Sequence, residues 1–317
     1  MHLLGIVGPT ATGKTELAVA VAQRLGAAEL LNADSRQVVR GLVVGTCAPT
    51  AAELRGVACH LLALHEPGAA FSVADWAGAA RASLADLQRR GVQPVLVGGT
   101  GLYVTALVDR LDLAGAPPQP HRRAERTAIA AAGGGLERLA AELLRRDPDA
   151  AASVDLRNPR RVVRALEILD AHGPPLHRAR GRGDPLPTTL IGLDVARDQH
   201  DGRIAERARA MFETGALVNE VHSAQGRGIS RDALESAGIG YREALAVIEG
   251  RVTPEQGAEL VAQRTRRYAK AQRTWFRRDP RIRWLRRDAE PTERLVDEVL
   301  DAFREDARAG QRLPGGR

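Results

Sequence analysis

Five short apolar runs, at residues 3–7, 28–32, 60–64, 93–97 and 189–195, read as strands, with helical patterns between the first four and again after the last. Apolar strands alternating with helices predict an α/β fold with a parallel sheet covered by helices on both faces. Ligands of such sheets bind beyond the carboxyl ends of the strands. The rule gathers Gly8–Thr15, Asp34 and Gly98–Thr100 around one crevice, because each follows directly on a strand.

The pattern changes between 114 and 186. Ala-Pro-Pro-Gln-Pro (116–120) opens this stretch, helices rich in Ala, Leu and Arg fill it, and Arg-Gly-Arg-Gly-Asp-Pro-Leu-Pro (180–187) closes it. These borders mark an inserted all-helical subdomain in a core formed by 1–113 and 187–308. A strand is expected at Ile282–Leu285 and a last helix near 291–307. The Gly/Pro-rich tail, 309–317, is expected to be disordered.

Candidate chemistry sharpens the picture at the first strand. Residues Gly8-Pro-Thr-Ala-Thr-Gly-Lys14-Thr15 lie between the strand 3–7 and a helix predicted over Glu16–Leu25, as a phosphate-binding loop requires. Lys14 is one of only two lysines beside 44 arginines, so its retention argues for chemistry. Loop N–H groups, the helix dipole and the ammonium would bind a phosphate or diphosphate, and Thr15 could hold a Mg²⁺ ion bridging the phosphates. A kinase would carry an acid after a second strand, but 94–97 ends in Gly98-Gly99-Thr100. The acid is instead Asp34, which could hold metal water or accept a proton from a nucleophile; capping a helical turn is its bland alternative. Thr100 can bond a polar group or cap the helix beginning near Gly101.

Charge adds a partner. Residues 1–115 hold 9 basic and 9 acidic residues, whereas 116–317 hold 37 and 30, so the entire net charge of +7 lies in the second part. A neutral nucleotide-type core with a basic remainder suggests a polyanion, of which nucleic acid is the first candidate. On the helix predicted from Pro254 to about Arg278, Arg266, Lys270, Arg273 and Arg277 share one face; Val261, Tyr268 and Trp275 share the packing face. No acid occurs from Arg264 to Arg278, which favours contact with a phosphate backbone. A second basic helix opens at Asn158-Pro159, with Arg157, Arg160, Arg161 and Arg164 at helical spacing. Cys47 and Cys59 match neither a disulfide framework nor a metal pair, and the histidines form no ligand cluster. With no leader pattern and no long apolar span, a cytoplasmic, membrane-free protein is expected.

Taken in order, GPTATGKTELA (8–18), NADSRQ (32–37), RGLVVGT (40–46), VGGTGLYV (97–104), NPRRVVRALEI (158–168), GYRE (240–243) and RRYAKAQRTWFRRD (266–279) resemble the bacterial tRNA dimethylallyltransferase (tRNA isopentenyltransferase) family. The resemblance spans nearly the whole chain. It implies transfer of the dimethylallyl group of dimethylallyl diphosphate to N6 of the adenosine immediately 3′ of the anticodon, position 37, in tRNAs reading codons that begin with U. It further implies a diphosphate cradle at Gly8, Pro9, Thr10, Ala11, Thr12, Gly13, Lys14 and Thr15, catalytic roles for Asp34, Thr100, Lys14 and Arg207, and a Mg²⁺ cofactor. Asp34, Ser35, Arg36, Gln37, Arg123, Arg160, Arg161, Val162, Val163 and Arg164 resemble tRNA-contacting positions, joined by the basic face at 266–277. A monomer is expected. The chain departs from the family pattern at Val39, where Tyr is usual, at Cys47-Ala48 for Ala-Lys, at Cys59 for His and at Ala63 for Asp. Two enzyme alternatives stay open: an adenylate isopentenyltransferase acting on free AMP or ATP, and a small-molecule P-loop kinase. A non-catalytic RNA-binding protein would leave Lys14, Thr15 and Asp34 without purpose.

Overall fold

A computed structural model describes residues 2–111, 113, 119–176, 183–288 and 290–312, with side chains to 309. Its sheet has six parallel strands: β1 (Leu3–Val7), β2 (Ala28–Asn32), β3 (Cys59–His60), β4 (Gln93–Gly98), β5 (Thr188–Asp194) and β6 (Ile282–Arg286). They lie in the order β3-β2-β4-β1-β5-β6. From central β1 the chain crosses to β2 on one side, returns to β4, and later crosses to β5 on the other side. The connections leaving either side of β1 therefore diverge, opening a crevice at the strands' carboxyl ends. Register fixes what meets there: Val7 pairs with Gly98 on β4 and Gly192 on β5, while Asn32 pairs with Val97.

Helices α1 (Lys14–Leu25), α2 (Ala51–Leu54), α3 (Val73–Arg89) and α4 (Gly101–Val108) occupy the first part of the chain. The apolar stripe Leu17, Ala18, Val21 of α1 buries against Leu4, Ile6, Val95 and Ile191 of the sheet. Ser72 and Asp75 start α3 with a reciprocal capping box. Trp76 of that helix stacks on Tyr103 at 4.4 Å and donates its indole N–H to the Asn32 carbonyl, which anchors the end of β2.

The chain divides into a first compact unit of 1–108 and 186–317 and a second of 109–185. This unit contains α5 (Pro120–Ala131), α6 (Gly135–Arg146), a 3₁₀ turn (Pro148–Ala152) and α7 (Pro159–His172) around Leu139, Leu143, Val162, Leu166 and Leu169. Asn158 caps α7, and Pro159 occupies its first turn. The border residues 116–118 and 180–182 lie outside the described residues.

In the first unit, α8 (Arg197–Glu213), α9 (Ala216–Gly226), α10 (Arg231–Ala237), α11 (Tyr241–Ile248) and α12 (Pro254–Phe276) follow β5. They share a core of Phe212, Leu217, Leu234, Tyr241 and Val261 that also takes in Leu42. Helix α13 (Thr292–Arg312) closes the fold through Leu295, Val296, Val299 and Leu300.

Three expectations are corrected. The run 60–64 pairs only at Cys59–His60, because Leu61 and Ala63 adopt φ of 66° and 51° and leave the extended region. The tail expected to be disordered from Ala309 is helical to Arg312; residues 313–317 lie outside the described residues. Trp275, expected to pack, is 38% exposed and lies over Gly101.

Candidate active site

The loop 8–13 leaves β1 between β4 and β5. A Cβ on Gly8 would stand 2.5 Å from the Leu193 carbonyl oxygen, so only glycine lets the loop pass β5. Buried Thr12 donates its hydroxyl to the Pro9 carbonyl at 3.0 Å, folding the loop on itself. Lys14 Nζ donates to the same carbonyl at 2.5 Å. Helix α1 begins at Lys14, two residues earlier than the predicted Glu16, so its unpaired first-turn N–H groups open beside the loop. Thr10 lines the same crevice, but its N–H is taken by Gln272 Oε1 at 2.8 Å.

Asp34 follows β2. Asn32 Oδ1 accepts the Asp34 N–H at 3.2 Å and Ala33 donates to the Val97 carbonyl at 2.8 Å, which turns the chain towards the loop. The Asp34 carboxylate accepts the Arg36 N–H at 2.9 Å, so it does organise a local turn while facing the crevice. Burial raises its pKa against the opposing pull of the Arg36 and Gln37 amides and the Lys14 and Arg36 charges. Burial likewise lowers Lys14 to about 8, with Asp34 resisting and Arg207 reinforcing the shift. Lys14 and Asp34 thus form an opposed pair in a partly desolvated crevice, each shifted towards neutrality.

Thr100 does not use its hydroxyl to cap α4. Its Oγ1 accepts the Ser35 N–H at 2.8 Å and donates to Ser35 Oγ at 3.2 Å, while Tyr268 of α12 lines the crevice beside Asp34. Tyr268 therefore faces the site and is corrected from a packing role; burial pushes its phenol up to about 12. Arg207 on α8 lines the crevice together with Cys47. Gln272 spans the two glycine-rich loops, holding Thr10 N–H and donating to the Gly99 carbonyl at 2.9 Å.

Two cavities meet at this point. One, about 1230 Å³, is lined by Thr10, Gly13, Lys14, Thr15, Asn32, Gln37 and Glu53 among others. The second, about 660 Å³, is walled largely by Ala11, Ile204, Ala208, Met211, Ile239 and Val261. Thr10, Ala11, Asp34, Thr46, Cys47, Arg207 and Met211 line both. A polar cavity and an apolar chamber therefore share a boundary on which Asp34 stands. The rim residue Gly45 is held through its N–H by Glu220, which also accepts the Val43 and Val44 N–H groups and the Tyr241 hydroxyl.

The candidate RNA-contacting side chains divide. Arg36 donates to the Ser236 carbonyl at 2.9 Å and Gln37 to the Cys47 carbonyl at 2.8 Å, so both brace the crevice. Arg160 and Arg161 are exposed, whereas Arg123 and Arg164 clasp the buried Glu167 carboxylate. Val162 and Val163 are 0% and 4% exposed in the second unit's core, which corrects the expectation that they touch RNA. On α12, Lys270 is exposed and Arg266 bonds Glu259. Arg273 is instead drawn inward, with three contacts of 2.8–3.2 Å to Asp194, and Arg277 reaches the same carboxylate at 3.4 Å. The acid-free run of α12 is therefore partly neutralised by an acid at the end of β5. Burial would raise the Asp194 pKa, and the bonds from Arg273 and the Val195 N–H overcome it, leaving it low.

Sequence reasoning missed Gln272, Asp194 and His200. Asp194 ends an apolar strand and could have been found by the rule that located Asp34; Gln272 and His200 carry no local signal. Among the described residues no group of three or more acids, histidines or cysteines could hold a metal, and no helix is long and apolar enough to cross a membrane.

Comparison with known proteins accords with this geometry. The model of the IPP transferase family matches residues 37–279, and that of the isopentenyl transferases matches 1–64. The chain is 42% identical over 297 residues to the tRNA dimethylallyltransferase of Thermobifida fusca and 39% over 285 residues to that of Streptomyces avermitilis, with 90% of each chain covered in both cases. Among solved structures, the tRNA isopentenylpyrophosphate transferase of Bacillus halodurans matches with a TM-score of 0.71 at 35% identity, over 98% of this chain and 99% of that one. A eukaryotic dimethylallyltransferase acting on tRNA shares the fold, with a TM-score of 0.80 at 22% identity over 96% of this chain and 80% of that one. The chain thus belongs to the IPP transferase family.

Proposed function

We propose that the protein transfers the dimethylallyl group of dimethylallyl diphosphate to N6 of the adenosine 3′-adjacent to the anticodon, in tRNAs that read codons beginning with U. The observation that carries this reading is the shared boundary of the phosphate cradle and the apolar chamber, with Asp34 upon it. A prenyl diphosphate, charged at one end and hydrocarbon at the other, fits a polar cavity and an apolar chamber that adjoin. The names of the relatives support tRNA as acceptor.

The exocyclic amine of adenine is a weak nucleophile because its lone pair is delocalised into the ring, so the electrophile must be activated. In the proposed reaction N6 bonds to C1 of the dimethylallyl group while the C1–O bond breaks, its electron pair leaving on the diphosphate. Loop N–H groups, Lys14 and Arg207 stabilise that anion. Asp34, held by the Arg36 amide, accepts the N6 proton. Its raised pKa makes it a better base than a solvated carboxylate. Thr100, tied to Ser35, fixes the polar floor beside it. Thr15, an oxygen donor lining the same cavity as Asp34, would be the residue to hold Mg²⁺, and the ion would supply further neutralisation of the leaving group. A base stacked in an anticodon loop cannot reach this crevice, so the adenosine must be flipped out, with exposed Lys270, Arg160 and Arg161 available to RNA phosphates.

The test is transfer of label from radiolabelled dimethylallyl diphosphate with Mg²⁺. Label is expected in tRNA and absent from AMP. Label in AMP alone would favour the adenylate isopentenyltransferase, and ATP consumption with a phosphorylated metabolite would favour the kinase.

A further inference from the structure

His200 is 2% exposed, and each ring nitrogen has a partner. Nε2 lies 2.7 Å from the Thr10 carbonyl oxygen and Nδ1 lies 3.2 Å from Arg273 Nη2. A carbonyl only accepts and a guanidinium only donates. The ring must therefore be neutral, with its proton on Nε2 and its lone pair on Nδ1. Burial and the Arg273 charge lower the imidazole pKa against the Thr10 carbonyl, Asp194 and Asp201, in keeping with that state.

Arg273 is itself fixed by Asp194 at the end of β5, so a continuous relay runs from the sheet through Arg273 and His200 to the phosphate loop. Neighbouring Gln272 takes the Thr10 N–H, so the two backbone polar groups of Thr10 are both held from α12, one directly and one through His200. The next residue, Ala11, has φ of 61°, a left-handed conformation that a non-glycine residue adopts at a cost of about 1–2 kcal/mol. Something must impose it. In a trans peptide the carbonyl and the following N–H point in opposite directions. With its carbonyl turned to His200, the Thr10–Ala11 peptide directs the Ala11 N–H away from that ring, and Ala11 lines both cavities of the crevice.

We propose that His200 is a positioning residue that aims the Ala11 N–H at the diphosphate. This inference rests on the reading of residues 8–15 as a diphosphate site. The probe is inorganic diphosphate with Mg²⁺, titrated calorimetrically into the full chain, with steady-state transfer to tRNA measured alongside. His200→Leu keeps the ring's bulk and removes both bonds; His200→Gln restores a donor and an acceptor on one planar group. For one misdirected hydrogen bond, His200→Leu is expected to bind diphosphate about five- to tenfold more weakly. KM for the prenyl donor should rise in step while KM for tRNA stays unchanged, and His200→Gln should recover most of the loss. Diphosphate affinity unchanged in His200→Leu, or equal losses in the Leu and Gln variants, would overturn the proposal. If His200→Leu does not fold, ¹⁵N NMR of the native imidazole decides: a proton on Nε2 alone at neutral pH supports the relay, and a proton on Nδ1 refutes it. Wild-type protein that binds no diphosphate would instead break the underlying site assignment.

Discussion

Replacing Lys14 by Met should make the ligand-free protein more stable while destroying its capacity to bind diphosphate. Burial lowers the Lys14 pKa from 10.5 to about 8, so at pH 7 the fold carries a charged ammonium it would hold more easily without its proton. Each pKa step corresponds to about 1.4 kcal/mol, which makes the penalty about 3 kcal/mol. Loss of the bond to the Pro9 carbonyl returns about 1 kcal/mol, leaving a net gain of about 2 kcal/mol for Lys14→Met. In a protein of this size that corresponds to a rise of about 4 °C in Tm. The sign with pH follows from proton binding. Between about pH 8 and 10.5 the unfolded chain holds a proton on Lys14 that the folded chain has released, so wild-type stability rises across this window relative to the variant. Below pH 8 the penalty is complete, and above 10.5 it vanishes. Thermal unfolding of both proteins at pH 7 and pH 10, with and without diphosphate, reads the difference directly. Diphosphate should stabilise the wild type only. A Lys14→Met protein less stable than wild type at pH 7 without ligand would refute the electrostatic reasoning.

Asp34→Asn preserves the shape and the turn-forming acceptor but cannot take the N6 proton; single-turnover transfer should slow by about 10²–10⁴ with tRNA affinity within twofold of wild type. Gly98→Ala would bring a Cβ to 2.3 Å from the Ala33 backbone oxygen, so chemical denaturation should show a loss of about 1–3 kcal/mol. Arg273→Ala removes the main partner of Asp194 and should lower Tm, whereas Lys270→Ala should leave Tm unchanged and weaken tRNA binding with a shallower salt dependence.

The sheet, the phosphate loop and the place of Asp34 were legible because each depends on short-range pattern: apolar runs followed at once by the residues they project. What failed depended on neighbours distant in sequence. The cationic face of α12 looked free along the helix, yet Asp194, 79 residues before Arg273, pairs with it. Val162 and Val163 sit between Arg161 and Arg164 in sequence and point into the second unit's core because a helix turns successive residues through about 100°. Trp275 escapes burial because Gly101 offers its ring a surface rather than a pocket. Gln272 and His200 act on a loop some 190 or more residues away, a relation that no local periodicity encodes.

Prenyl transfer in this crevice requires one placement: a departing diphosphate on the glycine loop, with its hydrocarbon in the chamber behind Asp34. The structure of the protein bound to a non-cleavable thio analogue of dimethylallyl diphosphate tests this most directly. The expected result has the phosphates at residues 11–15 and the five-carbon tail against Ile204, Ala208 and Met211, with C1 facing Asp34. A tail outside that chamber, or phosphates away from the loop, would contradict the account.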